Sequence, residues 1–229
     1  MATGTPVLDA GRVVDELLAD IGRLPPPPPP DRDGHDSGPS REPERRPLIE
    51  NAQLGMLVFL AAETMFFGGL ISAFLFLRLG AQVWPPPFQP RLPIEVTGVN
   101  TLFLLASSFT MARALRAIRR GDRAGLVWGL GQTALLGAVF LGVQGYEWVR
   151  LIHFGFTASS GVYGSTFYTL IGTHGLHVLA AVSLLLVVLV MAWRGHFSPR
   201  RHTAVRVSAI FWHYVVGLWP ILYTLVYLR

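Results

Sequence analysis

The chain has 229 residues, of which 51% are hydrophobic and 14% charged, with a mean hydropathy of +0.43 and a formal net charge of +5. The charged fraction lies well below the ~25% of soluble domains, which points to a membrane protein. Having no cysteine, the chain excludes disulfides, thiolate metal sites and a thiol nucleophile. Its basic charge, set beside apolar runs, reads as a topology signal rather than nucleic-acid binding.

Charge divides the chain in two. Residues 1–50 carry ten acids and six arginines, and residues 51–229 carry four acids and thirteen arginines. Residues 1–47 therefore read as a cytoplasmic tail. Within it, Val7, Leu8, Val13, Val14, Leu17, Leu18, Ile21 and Leu24 recur at helical steps and predict an amphipathic helix over 7–24. Pro25–Pro30 enforce an extended polyproline stretch, and the polar residues after it read as a disordered linker. The tail is either a mobile segment with a transient helix or a helix that docks on a partner subunit's cytoplasmic face. No apolar core with a basic front stands near Met1, so no secretory signal is expected.

Five apolar runs follow, at about 54–78, 95–117, 125–149, 164–193 and 204–228. Each is long enough to cross ~30 Å of hydrocarbon at 1.5 Å per residue. The expected fold is all-α, a polytopic bundle of five transmembrane helices occupying residues 48–229. Arginine placement sets its orientation. With the N-terminus cytoplasmic, that face receives twelve arginines, from Arg41 to Arg206, and the other receives Arg78, Arg91, Arg150 and Arg229.

Ionisable residues inside these runs are the candidate site. Glu63 is the only charge between Leu54 and Leu77. A carboxylate in hydrocarbon costs ~2.5–3.5 kcal/mol even on lenient insertion scales, so it needs a partner, a proton or a polar cavity. His174 and His177 are three apart, which predicts one shared face of the fourth span. His213 lies at comparable depth in the fifth. A neutral imidazole bonded to Glu63 would satisfy both groups. Glu147, beside Trp148 and Arg150 at the end of span three, suits an interfacial ion pair or a helix-end hydrogen bond. The histidines read as hydrogen-bonding locks between helices, as part of a proton relay, or as haem ligands, although their spacing shows no paired pattern on two helices. Gly68 and Gly69, Gly129 with Thr133 and Gly137, and Gly161, Gly164 and Gly172 are placed for close helix contact. No Gly-x-Ser-x-Gly or His-Glu-x-x-His string is present, so a hydrolase is not expected.

Four strings are more specific. ENAQLGMLVFLAAETMFF at 50–67, VQGYEW at 143–148, GVYGSTFYTLIGTHGLHV at 161–178 and WHYVVGLWPILY at 212–223 resemble subunit III of the haem–copper oxidases. They touch every span but the second, in the family's order. The resemblance is to the five-helix kind, which lacks the first two helices of larger members. It implies a non-catalytic subunit that packs on subunit I, in a complex with subunit II, in a bacterial cytoplasmic membrane. The holoenzyme would reduce dioxygen to water and pump protons. Haem and copper would sit in the partner subunits and none in this chain, and bound phospholipid and membrane lipid are further expected partners. In larger members a cleft between the first two helices and the rest holds phospholipids, and it cannot form here in the same way. Glu63 matches the family's membrane-embedded glutamate, His174 and His177 its Gly-x-His-Gly-x-His element, Trp212 and His213 the opening of its last-helix motif, and Glu147 the glutamate ending its third retained helix. The family usually has an acid where Val216 stands. Two other readings stand beside this one: a subunit III-like partner of nitric oxide reductase, and a membrane b-type cytochrome holding haem through His213 and His174 or His177.

Overall fold

The computed structural model describes residues 51–86 and 93–228. The predicted tail helix and polyproline stretch lie outside the described residues. Within them are five helices: α1 (Asn51–Gly80), α2 (Ile94–Arg119), α3 (Arg123–His153), α4 (Val162–Trp193) and α5 (Thr203–Tyr227). All five are long and apolar enough to cross a membrane. Helices are the expected outcome because hydrocarbon offers no water to an unpaired backbone N–H or C=O. All five start one to three residues before the apolar run that announces them, since a helix continues through the polar residues of the interface.

The helix ends are written in local sequence. At the end of α2, the Gly121 N–H donates to the Ile118 carbonyl and the Asp122 N–H to the Ala117 carbonyl, both at 3.0 Å. This pairing needs a left-handed residue, and Gly121 supplies φ +78°. Asp122 then caps α3, its Oδ1 accepting from the Gly125 N–H at 2.8 Å. α3 and α4 close by the same device at Gly155 and Gly195. Pro220 stands inside α5, and the helix runs through it.

α2 and α3 form the tightest antiparallel pair. A Cβ on Gly129 would lie 2.7 Å from the Ala114 Cβ, so the two backbones meet there. α4 packs on α3 and α5, and α5 also packs on α2. α1 packs on α4 and α5 alone among the described helices. Its buried residues are only Gln53, Phe67 and Phe74, while Met65, Phe76 and Leu79 face outward. Gly137 admits the Trp212 ring, and Gly164 sits against the Thr157 carbonyl. Gly68 and Gly69 differ from expectation: a Cβ on either would meet nothing within 4 Å, and Gly68 borders the open groove between α1 and α5.

Polar bonds cross the apolar core. The buried Trp212 indole donates to Ser107 Oγ at 3.1 Å, and Trp219 donates to Thr101 Oγ1 at 2.8 Å, tying α5 to α2. Asn100 Nδ2 donates to the Phe140 carbonyl at 3.0 Å, and Thr110 and Thr133 hydroxyls meet at 2.7 Å, tying α2 to α3. Gln144 Nε2 donates to the Tyr227 hydroxyl at 3.2 Å, tying α3 to α5. Such bonds average ~0.6 kcal/mol each in membranes, so their value is in setting helix register as much as in stability.

Candidate functional site

α1 and α4 bring Glu63 and His177 together. Glu63 Oε2 lies 2.9 Å from His177 Nε2. The other ring nitrogen, Nδ1, lies 2.8 Å from the Thr173 carbonyl oxygen one turn back in α4. A carbonyl only accepts, so Nδ1 carries a hydrogen. Nε2 is then either a lone pair receiving a hydrogen from a protonated Glu63, or the second N–H of an imidazolium facing a carboxylate. Both arrangements hold one proton between the two residues and leave the pair neutral overall. Neutrality is what a site in hydrocarbon demands. The Phe67 ring, one turn beyond Glu63, covers the imidazole edge-on at 5.1 Å. The side chains of Glu63 and His177 are 17% and 19% exposed, so the seam between α1 and α4 leaves the pair partly open.

His174 parts from His177. It is 1% exposed and stacks on the Trp219 indole, with centroids 5.0 Å apart and planes at 24°. Neither of its ring nitrogens has a hydrogen-bond partner among the described residues. Three residues turn a helix by about 300°, so the two rings diverge by roughly 60°. That angle suffices to send His177 to α1 and His174 into the core against α5.

His213 lies on the outer side of α5 and is exposed. Its Nδ1 donates to the Ala209 carbonyl at 2.6 Å. It lines a groove of about 400 Å³ between α1 and α5, beside Thr64 and Tyr214. Thr64 Oγ1 lies 2.7 Å from the Leu60 carbonyl and 3.3 Å from the Tyr214 hydroxyl. His213 thus lines the α1–α5 groove, while Glu63 pairs with His177 at the α1–α4 seam. Glu147 is 6% exposed and pairs with Arg150 at 3.2 Å. Trp212 is the buried tie to α2 described above. Val216, where the family pattern has an acid, is buried among apolar groups.

The second span holds polar residues beyond the expected site. Thr97, Asn100, Thr101 and Ser107 are all buried on one side of α2, and three of them bond to other helices. Their helical spacing was the available signal, because polar residues on one face of a membrane helix mark a contact with another helix. Tyr214 and Tyr227 gave no comparable signal. Among the described residues, no three His, Asp or Glu side chains gather as metal ligands would.

Fold and site define a class: a multi-pass helical membrane protein whose embedded ionisable residues join helices. Residues 44–229 match the family model for cytochrome c oxidase subunit III. The chain is similar to cytochrome c oxidase subunit 3 of Thermostichus vulcanus, 40% identical over 179 residues, which are 76% of this chain and 86% of that one. It is 41% identical over 178 residues to the protein of that name from Synechocystis sp., covering 76% of this chain and 74% of the other. A probable cytochrome c oxidase subunit 3 of Nocardia farcinica is 36% identical over 174 residues, covering 76% and 86%. The chain belongs to the cytochrome c oxidase subunit III family. It is thus part of a terminal oxidase complex, and the nitric oxide reductase and free-standing cytochrome readings are not favoured.

Proposed function

We propose that this chain is the non-catalytic subunit III of a respiratory haem–copper oxidase in a bacterial cytoplasmic membrane, packed on subunit I within a complex that also holds subunit II. Its N-terminus faces the cytoplasm, as the arginine bias argues. Haem and copper belong to the partner subunits, where dioxygen is reduced. This chain supports subunit I by packing and sustains proton uptake.

The observation that carries the reading is the Glu63–His177 contact at 2.9 Å, an embedded carboxyl and imidazole that remain partly open along the α1–α4 seam. Trp212 ties α5 to α2, Glu147 pairs with Arg150 within α3, and His174 and His213 complete the embedded polar set.

Gentle solubilisation of the tagged chain tests the reading. Co-purification with two larger subunits, whose haem absorbance and oxygen consumption travel with it, is the expected result. His213→Ala should leave haem content per complex unchanged. Stoichiometric loss of haem on that substitution, with every subunit retained, would assign haem to this chain and overturn the proposal.

A further inference from the structure

The two halves of α4 differ in what they place around the Glu63–His177 pair. His177 lies at mid-helix, about 22 Å from the Val162 end and about 24 Å from the Trp193 end. On the Val162 side, Thr166 and Thr173 lie within about 40° of its face, and Thr169 stands beside them. On the Trp193 side the same face carries Ala181, Leu184 and Val188. The hydroxyl of that half, Ser183, lies about 120° round the helix and donates to the Leu179 carbonyl at 2.8 Å.

α1 leaves room over the threonines. A cavity of about 120 Å³ lies between the two helices, walled by Leu70, Ala73 and Phe74 of α1 and by Ser165, Thr166 and Thr169 of α4. That is several times the ~30 Å³ share of one water molecule. The Ser165 and Thr166 hydroxyls donate to the Val162 carbonyl at 3.1 and 2.7 Å. A hydroxyl that donates to its own helix keeps two lone pairs for hydrogens from water.

Thr173 stands between the cavity and the pair, about 6 Å along the axis from Thr169 and from His177. A polar gap of that length is bridged by water. The Phe67 ring covers one edge of the imidazole, yet the pair stays partly open along this seam.

A carboxyl and an imidazole that share a proton inside hydrocarbon exchange it with solvent only along a chain of polar groups. We propose that Thr166, Thr169 and Thr173 hold a file of water molecules in the α1–α4 seam, joining the Glu63–His177 pair to the aqueous phase at the Val162 end of the bundle. With the N-terminus cytoplasmic, that end is the outer one, opposite the arginines. The inference rests on the geometry of the seam and not on the subunit assignment.

Thiol blocking by silver ion tests it in the complex as purified, reconstituted into sealed vesicles. The chain has no cysteine, so each variant carries a single thiol. Silver is small enough to follow a file of water, and it binds the thiolate, which forms in water and not in hydrocarbon. Ser159→Cys in the exposed loop before α4 fixes the side that meets the reagent, so an inverted topology would move every reading together. Thr169→Cys and Thr173→Cys should be blocked from that side about tenfold or more faster than two controls. These are Leu176→Cys, on the exposed surface of α4, and Leu184→Cys, beyond the pair. Thr166→Val/Thr169→Val should slow the blocking of Thr173→Cys by a similar factor. Thr173→Cys as slow as Leu176→Cys would mean that the threonines serve only their own helix, and would overturn the proposal. So would faster blocking of Leu184→Cys from the opposite side, which would put the water in the other half of the seam. The subunits that co-purify are scored separately, so a failed oxidase assignment is told apart from a dry seam.

Discussion

The carboxyl of Glu63 reaches one imidazole, and that imidazole is anchored through its other nitrogen to Thr173. Substitutions at Glu63 therefore differ according to whether they keep a hydrogen-bonding group. Glu63→Gln retains an amide N–H that can donate to His177 Nε2, so retention of the subunit should be close to wild type. Glu63→Leu strands that nitrogen in an apolar seam, at a cost of ~1–3 kcal/mol. Dissociation of this chain from its complex in rising detergent should begin earlier for Glu63→Leu than for Glu63→Gln. Both should lower proton uptake only modestly. Near-complete loss of oxygen consumption in an intact Glu63→Gln complex would contradict a supporting role. His174 has no such anchor, and its contribution lies in stacking on Trp219.

Between helices, small residues divide into two kinds that sequence alone does not distinguish. Gly129 meets Ala114 backbone and side chain at under 3.1 Å from an added Cβ. Gly69 meets nothing. Gly129→Ala should force α2 and α3 apart and cost ~1–3 kcal/mol, in line with other overpacked sites. Gly69→Ala should be neutral or slightly stabilising, because alanine favours the helix by up to ~1 kcal/mol over glycine. Thermal aggregation of the two variants in detergent measures the difference. A larger loss for Gly69→Ala would show that the outer face of α1 is covered in the assembled complex. The same contrast explains α2: its buried Thr97, Asn100 and Thr101 make it a polar hub, although its apolar run is the weakest of the five.

For the whole molecule, five spans place the loops at Gly121 and Gly195 on one side and the loop at Ser159 on the other. Activity-reporter fusions at Gly121 and Gly195 should both report cytoplasm, and a fusion at Ser159 the outside. Two loops reporting the wrong side would sink the topology. Removing residues 2–30 should leave membrane insertion intact, because the span signals all lie beyond them. If the 7–24 segment docks on a neighbouring subunit, the deletion should loosen that contact, and amide exchange across 7–24 in the intact complex should be slow.

Helix number was legible in the sequence because it depends on neighbours along the chain, whereas the apolar runs alone place each helix start one to three residues late. Runs of apolar residues set the spans, and Gly121 with Asp122 closed one helix and opened the next. The embedded ionisable residues were legible for a related reason, since a lone carboxyl such as Glu63 in a long apolar run is conspicuous whatever surrounds it. Which imidazole would answer it was not legible. His174 and His177 are equivalent at the level of spacing, and only the position of α1 over the α4–α5 seam gives His177 to Glu63 and leaves His174 to Trp219. The role of α2 was likewise decided by packing, because a threonine or serine in a membrane helix can satisfy itself on its own backbone or reach across to an indole.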